Sequence, residues 1–179
     1  MIRLYAMKSL YNILFTCFLF TTCVLTIQAQ EIDYGVHANI IYRFTKYIDW
    51  PESKKSGDFV IGIVGESPLH EYLKTFVVNK TVGSQKIIIK TYSSSAATFD
   101  CHILFVSEDE SSSFKKIVAR TAGAPILLVS EEEGLAYKGS CINFVIVDDR
   151  LKLEINKTNI AQRHLNVATE LLDLGKILK

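Results

Sequence analysis

Val36, Ile40, Ile41, Phe44, Tyr47 and Ile48 share one arc of about 140° when residues are stepped at 100°, with Asn39, Arg43 and Lys46 opposite. That spacing predicts a helix over 36–48. Pro51 closes the region, because the residue before a proline is pushed out of helical geometry. The pattern then shortens to apolar runs. FVIGIV (59–64) predicts a buried strand, and Gly65 a turn. Ser67 as N-cap and Pro68 as first helical residue predict a helix over 69–77. QKIIIKTY (85–92), CHILFVS (101–107) and PILLVS (125–130) predict further strands, with a crossover helix over 111–121. CINFVIV (141–147) and LKLEIN (151–156) flank Asp148-Asp149-Arg150 and predict a tight hairpin. Residues 158–178 carry one apolar arc and predict a long C-terminal helix.

Strands alternating with helices imply a mostly parallel sheet covered on both faces. The fold class expected is α/β, with three layers, a late antiparallel hairpin and a long C-terminal helix.

The first thirty residues change the picture. Arg3 and Lys8 precede an uncharged apolar run from Leu10 to Ile27, and Ala29 offers a cleavage point. That is the layout of a secretory signal peptide over 1–29, leaving one domain over 30–179. An uncleaved anchor is the alternative, since the run approaches the length that spans a bilayer. Removing Arg3 and Lys8 leaves 20 − 2 = 18 basic against 19 acidic residues, so the exported part is near neutral. No basic face points to nucleic acid.

Cys17 and Cys23 leave with the signal, and Cys101 and Cys141 remain. In an exported chain a pair reads first as a disulfide. The bond forms if the strands they begin are parallel neighbours. Otherwise they are two buried free thiols.

Candidate chemistry is sparse. IGIVG (61–65) lacks the third glycine and the downstream acid of a dinucleotide loop, and a strand-to-helix turn explains it. Cys101 and His102 are adjacent on a strand and point to opposite faces, so they form no dyad. The histidines at 37, 70, 102 and 164 have no metal-ligand spacing, and no cofactor or metal is expected. Arg163 and His164 lie at the start of the last helix. Either His164 is a histidine hydrogen-bonded to backbone at a helix start, or the two make a ligand pocket or pH sensor. Tyr42 projects away from the apolar arc, and Trp50 follows the helix. Both are surplus to the stripe. They are exposed aromatics of the ordinary kind, or anchors for a partner.

NIIYRFTKYIDWP (39–51) resembles the opening motif of the YfiR family. FVIGIVGESPL, CHILFVS, GLAYKGSCINFVIVDDRLKLEIN and LNVATELLDLGKIL resemble its later motifs in order, across 34–179. The resemblance implies a non-catalytic periplasmic regulator that binds and represses the periplasmic domain of an inner-membrane signalling protein. That target is a diguanylate cyclase of cyclic-di-GMP signalling or a sensor histidine kinase. It places Tyr42, Phe44, Tyr47 and Trp50 in the signature helix as expected partner contacts, and Cys101 as the family's strand cysteine. Cys141 departs from the pattern, where an apolar residue is common, so the Cys101–Cys141 bond is read from this sequence alone. His164 also departs, where a small residue is common. The alternative function is a periplasmic ligand-binding subunit that presents its ligand state to a membrane kinase. A homodimer stays open.

Overall fold

A computed structural model describes residues 32–178. The expected signal peptide, 1–29, lies outside the described residues. The described residues from Asp33 onward cluster as one compact unit.

Helix α1 spans Tyr34–Tyr47. Asp33 starts it, its carboxylate accepting from Gly35 N at 2.9 Å and Val36 N at 3.1 Å, two amides the helix itself leaves unpaired. Ile48 is already extended, and Ile48–Asp49 form a short strand β1. Then come β2 (Phe59–Val64), α2 (Leu69–Val77), β3 (Thr81–Val82), β4 (Gln85–Tyr92), β5 (Ile103–Val106), α3 (Phe114–Arg120), β6 (Leu127–Ser130), β7 (Ile142–Val147) and β8 (Arg150–Asn156). Ser67 Oγ accepts from Leu69 N at 3.3 Å, which caps α2. Gly65 sits at φ +83°, and a Cβ there would lie 2.6 Å from Glu110 Cγ, so only glycine fits the turn.

The main sheet has the order β10-β8-β7-β6-β5-β2-β4-β3, where β10 is Lys176–Leu178. The five strands β4, β2, β5, β6 and β7 run parallel to one another, while β8 runs antiparallel to β7 and β3 antiparallel to β4. The turn between them is Asp148-Asp149, at φ +51° and +56°, the left-handed pair of a two-residue hairpin. Strands β2, β5 and β6 are buried at every position, which requires cover on both faces. Phe44 of α1 stacks on Phe144 of β7, centroids 6.2 Å apart, and Phe105 of β5 meets the same ring. Helix α1 therefore covers the face that Phe105 and Phe144 share, and α2 packs beside it.

The expected long C-terminal helix is absent. Residues 157–178 form α4 (Lys157–Ala161), strand β9 (Asn166–Val167), α5 (Thr169–Leu172) and strand β10 (Lys176–Leu178). The break falls at His164, φ +56°, where the amides of His164 and Leu165 bond back to Ala161 and Ile160. A continuous helix of that length would run about 30 Å, past the sheet it covers. Broken, the segment pairs β9 with β1 and lays β10 along the open edge of β8. Gly175 permits that approach, since a Cβ would sit 2.7 Å from Leu153 O. No helix among the described residues is long and apolar enough to cross a membrane.

Candidate functional site

Three motifs that are separate along the chain meet at His102. Its Nδ1 accepts from Val60 N at 3.0 Å, so Nε2 carries the proton and donates to Lys54 O at 2.8 Å. Phe59 stacks on the imidazole at 4.3 Å, and Trp50 stands edge-on to Phe59 at 5.0 Å and 90°. Trp50 Nε1 donates to His102 O at 3.2 Å. Burial lowers the His102 pKa, which suits a neutral ring held from both sides. The Trp50-Pro51 turn, β2 and β5 are thus locked together by one residue.

That geometry corrects two expected partner contacts. Trp50 is 5% exposed and Phe44 is wholly buried. Phe44 belongs to the apolar stripe of α1. Trp50 is carried inward by the extended turn, where its indole N–H finds a carbonyl. Both side chains are taken up by core packing, which leaves them almost no surface to offer a partner.

Tyr42 and Tyr47 are half-buried. Tyr47 contributes its carbonyl, which accepts from Ala168 N at 2.8 Å. Tyr42 meets Phe76 of α2 edge-on at 5.8 Å, with the ammoniums of Lys46 and Lys80 each 5.5 Å from its ring centroid. Lys80 also sits 3.8 Å over Phe76 and donates to the Phe76 carbonyl. Beside this cluster runs a groove of about 380 Å³ lined by Gly35, Ala38, Glu71, Tyr72, Thr75 and Phe76. Tyr72, on its wall, is 52% exposed. Tyr72 and Phe76 did not emerge from sequence reading. Their signal is present all the same. Leu69, Leu73 and Val77 form the buried stripe of α2, and Tyr72 and Phe76 make a second apolar row one step round.

At the carboxyl ends of the strands, Glu131 follows β6 with its side chain 4% exposed, and its Oε2 lies 3.8 Å from His37 Nε2 of α1. Glu131 Oε1 accepts from Glu108 N at 3.1 Å, but Oε2 has no hydrogen-bond partner. Burial, then the charges of Glu108 and Asp109, push the Glu131 carboxyl up to about 7, against the lowering effect of the Glu108 amide. Burial pushes His37 down, and its Nδ1 bonds the Asp33 carbonyl at 3.0 Å. Nearby, a hollow of about 400 Å³ opens between Ser111, Lys115, Glu132 and Lys138 over Phe114 and Leu135. No group of three or more His, Cys, Asp or Glu side chains able to hold a metal occurs among the described residues.

The disulfide expectation is overturned. Cys101 and Cys141 are both free and buried. They precede β5 and β7, and β6 lies between those strands. Two inter-strand spacings are about 9.6 Å, beyond the roughly 7 Å a bridge tolerates. Burial pushes the thiols up to about 12 and about 11, so neither is a ready nucleophile or redox sensor.

Arg163 and His164 do not form one pocket. Arg163 is 4% exposed and donates from Nη1 to Thr121 O at 2.7 Å, and its charge works against the burial that raises the Cys141 thiol. His164 is exposed on the other side, in the left-handed conformation that ends α4. Adjacent residues in a helix-terminating turn diverge, which one straight helix did not anticipate.

No curated protein matches the chain. A family profile described as YfiR/HmsC-like matches residues 34–176, from the first residue of α1 to the first residue of β10. The matched span contains the His102 clasp, the α1–α2 face and the hairpin, and by it the chain belongs to the YfiR/HmsC-like family.

Proposed function

We propose that residues 1–29 export this chain and that 30–179 act as a non-catalytic periplasmic regulator. It binds the periplasmic domain of an inner-membrane signalling protein, a diguanylate cyclase or a sensor kinase, and holds it inactive. Membership of the YfiR/HmsC-like family supports this, being consistent with periplasmic regulation of cyclic-di-GMP signalling. The observation that carries it is the α1–α2 face. Apolar side chains stand exposed there around a groove, Lys46 and Lys80 flank Tyr42 at its edge, and Glu71 on the groove wall is paired with Lys74. An aromatic face with a cationic rim suits an apolar helix flanked by acids. Tyr42, edged against Phe76, is the expected partner contact that remains on this face, with Tyr72 and Phe76 beside it.

The test is a cyclic-di-GMP reporter in the native host. Deleting the gene should raise the signal, and wild type should restore it. Tyr72→Glu should fail to restore it while melting as wild type does. Tyr137→Glu, on another exposed tyrosine (64% exposed), should restore it fully. Full repression by Tyr72→Glu would remove the α1–α2 face from the interface. A reporter indifferent to deletion would remove the cyclase as target.

A further inference from the structure

Arg163 is a buried permanent cation without a counter-ion. It is 4% exposed, and among the described residues it makes no ion pair with a carboxylate within 4.0 Å. A guanidinium keeps its charge at any working pH, so burial cannot be relieved by losing a proton. Leaving such a charge uncompensated is costly. It donates to the Thr121 carbonyl at 2.7 Å and stands beside the Cys141 thiol. Those are neutral dipoles, and they occupy two directions of a group with five N–H donors.

The remaining side faces a hollow. A cavity of about 110 Å³ between the end of α3 and the turn before β7 is lined by Arg163 with Val118, Gly123, Gly139, Asn159 and Gln162. Asn159 is fixed there by donating to Ala136 O at 3.1 Å and Ser140 O at 2.7 Å. Gln162 is exposed at the mouth. Gly139, at φ +120°, keeps the wall thin, since a Cβ would meet Val118 at 2.8 Å. No acidic side chain lines the cavity. The volume equals that of about four waters at roughly 30 Å³ each, enough for one oxyanion group and too small for a ring system attached to it.

The geometry points to an oxyanion site at Arg163: a carboxylate or phosphate, free or terminal on a larger molecule, seated on the buried guanidinium with the Gln162 amide closing the mouth. Planar guanidinium matches either group in a two-pronged arrangement. The site lies away from the α1–α2 face, and its occupant supplies the charge that the fold omits. It stabilises the junction of α3, the turn before β7 and α4, the elements that meet at this arginine.

The test is thermal melting of the purified protein with sodium acetate or sodium phosphate, against sodium chloride at equal ionic strength. One of the two oxyanions should raise the melting temperature saturably, by about 5–10 °C at a hundred times its Kd, and which one does so separates carboxylate from phosphate. Gln162→Glu places an internal carboxylate at the mouth of the cavity without touching the core. It should melt higher than wild type in chloride and lose the response to the oxyanion. Arg163→Lys should keep the fold and weaken the response at least tenfold in apparent Kd. Equal melting in all three salts would overturn the site, and so would an undiminished response in Gln162→Glu.

Discussion

Replacing Trp50 tests whether the family's closing aromatic belongs to the core or to an interface. Trp50 is 5% exposed, edge-on to Phe59, with its indole N–H on the His102 carbonyl. Trp50→Ala removes the whole ring and leaves a cavity beside Phe59 and His102, at a cost of about 3–5 kcal/mol. A domain of this kind is stable by about 5–15 kcal/mol in all, so at least a fifth of the total is lost. The melting temperature should fall by about 10–15 °C. Trp50→Phe keeps most of the packing and loses the hydrogen bond. The His102 carbonyl still accepts from Leu127 N at 2.8 Å, so no acceptor is orphaned and the cost should be about 1–2 kcal/mol. Circular-dichroism melts of the three proteins measure this ordering. The wild type offers an independent check, because Trp50 is the one tryptophan in the chain. Its fluorescence should be blue-shifted and poorly quenched by acrylamide until the protein unfolds. If Trp50→Ala melts within about 2 °C of wild type, or the native indole is freely quenched, the clasp is wrong and Trp50 returns to the surface.

Cys101 and Cys141 should stay reduced in the oxidised purified protein. Mass spectrometry after alkylation under denaturing conditions should find both thiols, and native protein should leave both unlabelled; a mass two units light with no thiol would restore the bond. Glu131 holds its proton up to about 7 against a usual 4.5, so its contribution to stability is complete below about 4.5 and is lost as pH rises through 7. Glu131→Gln keeps the neutral form and should gain on wild type by about 3 kcal/mol between pH 4.5 and 8. His37, pushed down, takes stability away as pH falls below 6.5 in both proteins, so the difference between their pH curves isolates Glu131; parallel curves would refute the burial argument. Gly175→Ala drives a methyl against Leu153 O, and should release β10 first, read as lost amide-exchange protection at 176–178. His164→Gly should stabilise by about 0.5–1 kcal/mol by relieving the left-handed strain, whereas a loss would mean the imidazole holds something.

Much of the sheet was legible because strand signals are local. The runs at 59–64, 85–92 and 142–147 are dense in β-branched residues and bounded by turn formers, and each is a strand with ends within a residue or two. The stripe of α1 was equally plain, since helical spacing reports which side is apolar. Of the expected partner contacts, Tyr42 lies on the α1–α2 face, and Tyr47 is half-buried with its carbonyl tied to Ala168. The C-terminal segment misled because Ile160, Leu165, Leu171 and Leu178 are buried for three different reasons, packing on different elements, and their spacing only imitates one helix.

The sequence by itself determined the alternation of strands and helices as far as β8 and the apolar faces of α1 and α2, because these depend on residues a few positions apart. Strand order was decided by the tertiary structure alone. It placed β6 between the two cysteine-bearing strands, brought Trp50 under His102 across 52 positions, and turned Arg163 inward away from His164. Such pairings depend on which long loops close, and every closure competes with others of nearly equal entropy, so no local pattern records the winner.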